Sequence, residues 1–262
     1  MITSRQNQAV KDIRRLRRSK GDHAILEGPH LVAEAAAAGL PLETVLATPA
    51  WLASAEGRSV VSRLSRPPLE AAPEILEDLA DADSPRGALA VAYLPRAGVE
   101  ALPVRPGRPY LYLDGLQDPG NLGALARVAE AAGAAGLALS SGSVHPNHPR
   151  ALRASAGSLL RLPVAVAATP EALDRHLSPT SPRWAALVPR NGEDLWRAPL
   201  EGTLVLAVGA EGPGLSADLL ERAVLRLTIS MEAGVESLNA TVAAALVLFE
   251  VRRRSPGRGE RS

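Results

Sequence analysis

Apolar positions along this chain follow two different periods. Short aliphatic runs at "YLYLD" (110–114), "GLALS" (136–140), "WAALVP" (184–189), "TLVLAVG" (203–209) and "LRLTIS" (225–230) predict strands. Between and after them, the segments 121–132, 149–160, 216–223 and 238–253 carry helical spacing. Strands bridged by helices require a mostly parallel sheet covered on both faces. The first third is less regular. Residues 24–38, "AILEGPHLVAEAAAA", predict a strand, a Gly-Pro turn and a helix. "ETVLAT" (43–48) and "GALAVAYLP" (87–95) predict strands, and "AAPEILEDLADADSP" predicts a capped acidic helix. "RAGVEALPVRPGRP" has three prolines, two glycines and little periodicity. The expected division is therefore a small α/β domain over 1–96, a linker over 97–108 and a larger α/β domain over 109–262.

Two helical stripes matter later. Leu122, Leu125, Ala129 and Ala132 form the buried edge of one helix, and Arg127 falls outside it. Leu238, Val242, Ala245 and Phe249 form a stripe that predicts core packing. Ala240, Ala243 and Ala244 leave a thin face beside it, suited to close helix contact.

Composition narrows the possibilities. Aromatic residues are 3% of the chain, too few for a stacking platform for single-stranded bases. Cysteine is absent, which excludes disulfides, thiolate metal sites and cysteine nucleophiles. His145 and His148 lie three apart in a proline-containing loop without further ligands, so no metal is expected. The N-terminal residues are basic without an apolar run, unlike a secretory signal, and no uncharged apolar stretch approaches membrane-spanning length. A soluble cytoplasmic protein is expected. The net charge of +1 hides an asymmetry: residues 5–20 hold seven basic side chains and one acidic one. Such a run is either a solvated face or a phosphate-contacting arm, with Arg14, Arg15, Arg17 and Arg18 as its candidates.

Ligands of open α/β sheets sit at the carboxyl ends of strands. Three loops there stand out. "DPGNLGALARVAEAAG" (118–133) reads as a turn, an asparagine able to cap, and a helix carrying Arg127. "VGAEGPGLS" (208–216) has glycines at 209, 212 and 214 that permit close backbone approach and positive φ. Their G-x-x-G-x-G order, late in the chain, is not the dinucleotide fingerprint, and no G-x-x-x-x-G-K occurs. In "ISMEAGVESLNA" (229–240), either Ser237 or Asn239 can cap the last helix.

Taken in order, "NLGALAR", "GAEGPGL" and "ESLNATVAAAL" resemble the three motifs of the SpoU (TrmH) family of RNA ribose 2′-O-methyltransferases, within the SPOUT class. "HPRALRASAGSLLRLPV" resembles the family's segment between the first two motifs, and "ILEGPHLVAEAAAAG" with "SPRGALAVA" resembles its frequent N-terminal substrate-binding domain. The likeness runs over about residues 10–252. Ser230 departs from it, standing where many relatives have proline.

This resemblance implies a trefoil-knotted α/β methyltransferase domain, preceded by a small L30e/L7Ae-like α/β domain, in a homodimer. It implies S-adenosylmethionine as methyl donor and rRNA or tRNA as substrate. By position, the backbone around Gly209, Ile229 and Leu238 would hold the cofactor, and Asn121, Arg127, Glu211, Ser237 and Asn239 match the polar site residues. Arg127 stands nearest to a catalytic role. A guanidinium stays protonated, so it suits phosphate binding and alkoxide stabilisation better than proton abstraction. In the family this arginine can act across the dimer. Two other classes stay open here: a non-catalytic RNA-binding or ribosome-assembly protein of the same fold, and an α/β enzyme using a nucleotide cofactor without RNA.

Overall fold

The computed structural model describes residues 1–18, 21–80, 87–232 and 235–255, without the side chain of Arg18. The first part runs α1 (Gln8–Arg18), β1 (His23–Glu27), α2 (Pro29–Ala37), β2 (Leu42–Ala47), α3 (Pro49–Leu52), α4 (Ala55–Val61), β3 (Leu69–Glu70), α5 (Pro73–Leu79) and β4 (Ala88–Tyr93). The second runs β5 (Tyr110–Asp114), α6 (Pro119–Ala132), β6 (Gly136–Leu139), α7 (Pro149–Ala154), α8 (Ser158–Arg161), β7 (Val164–Ala165), α9 (Pro170–Leu177), β8 (Arg183–Leu187), β9 (Glu193–Asp194), β10 (Leu204–Gly209), α10 (Ala217–Arg222), β11 (Leu225–Thr228) and α11 (Ala240–Arg254).

The chain divides into two compact units, residues 1–95 with 146–161, and residues 96–145 with 162–262. The first holds a four-stranded sheet in the order β1-β4-β2-β3, antiparallel except between β2 and β3. Val10 and Ile13 of α1 are buried with Ile25, Leu46, Leu76 and Leu89. The basic run is thus one face of an amphipathic helix whose other face is core.

Two expected features differ here. The helix expected over 149–160 is two short helices, because Ala156 and Gly157 adopt φ of 46° and 91°. Its segment groups with the first unit and meets β1: the short Arg153–Glu27 ion pair joins α7 to a buried carboxylate, beside Arg17–Glu27 at 2.5 Å. The linker expected over 97–108 is part of the second unit. Leu102 is buried in its core, and the Tyr110 hydroxyl donates to Pro103 O at 2.6 Å while accepting from Arg105 N at 2.8 Å.

The second unit carries a seven-stranded sheet, β7-β6-β5-β10-β8-β11-β9, parallel at every pairing. β10 enters between β5 and β8, both formed earlier in the chain, and the loops after β5, β8, β10 and β11 open at one edge. α11 packs on α6. Its buried residues include Ala243, Ala244, Val247, Leu248 and Val251, whereas Val242 and Phe249 are about half exposed. The stripe expected in the core is therefore the outer one. The thin alanine face is the inward one at Ala243 and Ala244, and α6, on which α11 packs, buries alanines of its own at Ala126 and Ala129.

Candidate active site

The β10 loop is shaped by its glycines. A Cβ on Gly209 would collide with the backbone of Gly214 and Leu215, so Gly209 serves closure of the loop on itself. Gly212 and Gly214 take φ of 95° and 74°, and Gly214 N donates to Ala210 O at 3.0 Å. The loop's exit is fixed by Asp114, whose Oδ2 accepts from Ser216 N at 2.9 Å.

The helix after β5 begins earlier than its pattern indicates. Asp118 is its N-cap, accepting from Asn121 N at 2.7 Å, with Pro119 in the first turn. Asn121 is thereby released from the expected capping role. Its Nδ2 donates to Glu211 Oε1 at 2.7 Å. At the other helix start, Asn239 rather than Ser237 is the cap: its Oδ1 accepts from Thr241 N at 2.9 Å and Val242 N at 3.4 Å. That orientation turns Asn239 Nδ2 outward, and it reaches the same Glu211 Oε1 at 3.2 Å. One carboxylate oxygen thus ties the three motif loops together.

Beside this junction lies a cavity of about 450 Å³. Gly209, Glu211, Ile229, Ser237, Leu238 and Asn239, all expected at the site, line it. Leu187, Val188, Pro189 and Met231 also line it and were not expected. The first three lie at the end of β8 and in the loop after it, whose place at the carboxyl edge was the signal available for them. Aliphatic walls with loop backbone at the rim suit a nucleoside-sized ligand held largely by main-chain groups. Among the described residues, no cluster of three or more His, Asp or Glu could hold a metal ion.

Arg127 is not brought to this cavity. It lies two turns into α6, about 9 Å along the axis from Asn121, exposed and without a hydrogen bond or ion pair among the described residues. The basic run is also not a free arm. Arg14 pairs with Asp78 and Arg17 with Glu27, while Arg15, 78% exposed, pairs among the described residues only with Asp12, at 3.2 Å. The Arg18 side chain lies outside the described residues.

Comparison with known proteins bears on the family. Residues 108–249 match the SpoU rRNA methylase family, and residues 7–90 match the MRM3-like substrate binding domain. An uncharacterised tRNA/rRNA methyltransferase of Synechocystis is 33% identical, covering 97% of this chain and 93% of its own. The 23S rRNA (guanosine(2553)-2′-O)-methyltransferase RlmP of Bacillus subtilis is 31% identical over 96% of this chain and 98% of its own. The AdoMet-bound rRNA methyltransferase of Sinorhizobium meliloti superposes with a TM-score of 0.84 at 27% identity, covering 96% and 97% of the two chains. A substrate-binding domain followed by a parallel-sheet domain with these three motif loops places this chain in the SpoU rRNA methylase family.

Proposed function

We propose that this protein transfers a methyl group from S-adenosylmethionine to a ribose 2′-hydroxyl of rRNA or tRNA. The observation that carries the reading is the junction of Asn121, Glu211 and Asn239 beside a cavity lined by Gly209, Ile229 and Leu238. The cavity's size, its aliphatic walls and its backbone-rich rim fit S-adenosylmethionine, whose sulfonium supplies an activated methyl group. The chain's own tasks are then to hold the ribose oxygen in line, exclude water and stabilise charge as the hydroxyl loses its proton.

The reading extends to the assembly. Val242, Phe249 and Trp196 are each about half exposed, and with Val128 they line an apolar groove of about 520 Å³ on the outer side of α6 and α11. We assign this face to a homodimer contact. Arg127 precedes Val128, so a two-fold pairing there would offer each Arg127 to the other protomer's cavity. The first unit would bind RNA, with Arg15 the phosphate contact best placed among the described basic residues. The trefoil knot and a cytoplasmic location belong to the same reading; among the described residues no helix is long and apolar enough to cross a membrane.

The test is transfer of labelled methyl to bulk RNA, followed by mapping of 2′-O-methyl positions in RNA with and without the protein. Transfer to one 2′-oxygen is expected. Cofactor binding without transfer to any RNA would reject the enzyme reading in favour of a non-catalytic RNA-binding protein.

A further inference from the structure

The parallel ladder of β11 ends at Thr228, with β8 on one side and β9 on the other. The next residues form a wall of the cavity: Ile229 and Met231 line it, and Thr228 and Ser230 do not. That alternation is the one an extended chain imposes. Thr228 and Ser230 carry hydroxyls, and each hydroxyl ties the wall to a neighbouring segment. Thr228 Oγ1 accepts from Gly192 N at 2.9 Å and donates to Val188 O at 3.2 Å, so one hydroxyl spans both ends of the loop after β8. Val188 and Pro189 of that loop line the same cavity. Gly192 is glycine for this contact, since a Cβ there would stand 2.6 Å from Thr228 Oγ1. Ser230 Oγ donates to Asp194 Oδ2 at 3.1 Å, and Asp194 Oδ1 accepts from Trp196 N at 2.8 Å, which fixes the carboxylate. Ser230 is exposed and stands where many relatives have proline. A proline ring would hold φ at that position; serine holds the segment by its hydrogen bond instead.

We propose, resting on the methyltransferase reading above, that Thr228 and Ser230 are positioning residues for S-adenosylmethionine: their hydroxyls hold two walls of the cavity in the geometry that receives the cofactor. A cavity that grips its ligand through main-chain groups and aliphatic walls has few side chains to adjust on binding. Its affinity depends on the backbone being fixed beforehand, because a loop that must order on binding subtracts its lost entropy from the affinity. Neither Thr228 nor Ser230 lines the cavity, so neither needs to touch the ligand. Thr228 acts through the loop after β8, and Ser230 acts through Asp194 on β9. Loss of either hydroxyl should weaken cofactor binding and leave the transfer rate at saturating cofactor in place.

The experiment measures S-adenosylmethionine affinity by calorimetry and single-turnover methylation at saturating cofactor, at a temperature where each variant is fully folded. The variants are Thr228→Val, Thr228→Ser, Ser230→Ala and Ser230→Thr. Valine keeps the shape of threonine and removes its hydroxyl. Thr228→Val should weaken cofactor binding by ~10-fold and Ser230→Ala by ~3–5-fold, as two hydrogen bonds and one allow. Thr228→Ser and Ser230→Thr, which keep the hydroxyl, should bind as wild type does. At saturating cofactor every variant should transfer methyl within about twofold of the wild-type rate. In an Asp194→Ala background, Ser230→Ala should cost nothing further, since its acceptor is already gone. Wild-type affinity in Thr228→Val or in Ser230→Ala would overturn the assignment of that residue; Ser230 is exposed, so its variant tests the idea without risk to the core. An equal loss in Thr228→Ser and Thr228→Val, or a rate that stays low at saturating cofactor, would also overturn it. Wild-type protein that binds no S-adenosylmethionine would instead overturn the methyltransferase reading, and the positioning roles with it.

Discussion

Asn121 shows how much a cap residue three positions upstream can alter. Because Asp118 caps α6, Asn121 lies inside the first turn and its amide is free to hold Glu211. Arg127 shows the converse, a side chain without a hydrogen bond or ion pair among the described residues. It lies outside the buried positions of α6, so Arg127→Ala leaves no core cavity and should change the unfolding temperature little. If the guanidinium meets phosphate and the developing alkoxide, the single-turnover rate should fall by ~10²–10³-fold. Cofactor affinity should stay at the wild-type value. Arg127→Lys should recover little, since an ammonium lacks the planar fork. A wild-type rate in Arg127→Ala would leave only a surface arginine.

Helix α1 spreads one basic run over different surroundings. Arg17 and Arg153 satisfy Glu27, whose side chain is 1% exposed. Removing Arg17 takes one charged hydrogen-bond donor from a buried carboxylate that keeps Arg153, a loss of about 1–3 kcal/mol. Arg17→Gln should therefore lower the denaturation midpoint, whereas Arg15→Gln should leave it unchanged. Arg15→Gln should instead weaken RNA binding and flatten its salt dependence by about one slope unit. An unaltered slope would return Arg15 to a merely solvated position.

The end of α11 carries a pH-linked contribution. Hydrogen bonds from Arg253, joined by one from Arg254 and opposed by burial, hold the Glu250 carboxyl down to about 2. An unfolded glutamate titrates near ~4.3. The folded value is the lower one, so this contribution is complete above the unfolded value and is lost as pH falls toward about 2. Urea midpoints of Glu250→Gln should lie below wild type at neutral pH, and the gap should close between pH ~5 and ~2.

For the whole molecule, the outer face of α11 is the one we assign to a homodimer contact. Three half-exposed large apolar side chains around one groove are a liability in a monomer and a contact in a dimer. Phe249→Glu should shift the protein from dimer to monomer in light scattering at micromolar concentration, and methyl transfer should fall with it. Mixing Arg127→Ala with Glu211→Gln should recover activity through heterodimers if the arginine acts across the contact. No recovery in a verified heterodimer would place Arg127 in its own protomer's site.

The alternation of aliphatic runs with helical segments was sufficient for the parallel α/β class, since buried parallel strands and their crossovers leave that periodicity in any sequence. The three motif loops were legible for a related reason: glycines and short polar residues at strand ends are local requirements of tight turns. Three features were not legible. Which face of α11 is inside depends on its packing against α6, a pairing of segments far apart in the chain. The grouping of 146–161 with the first unit rests on a buried carboxylate shared by Arg17 and Arg153, which charge counting along the chain cannot reveal. The meeting of Asn121 and Asn239 on Glu211 Oε1 arises because β10 inserts between β5 and β8, and strand order is set by long-range packing and connection geometry rather than by local pattern.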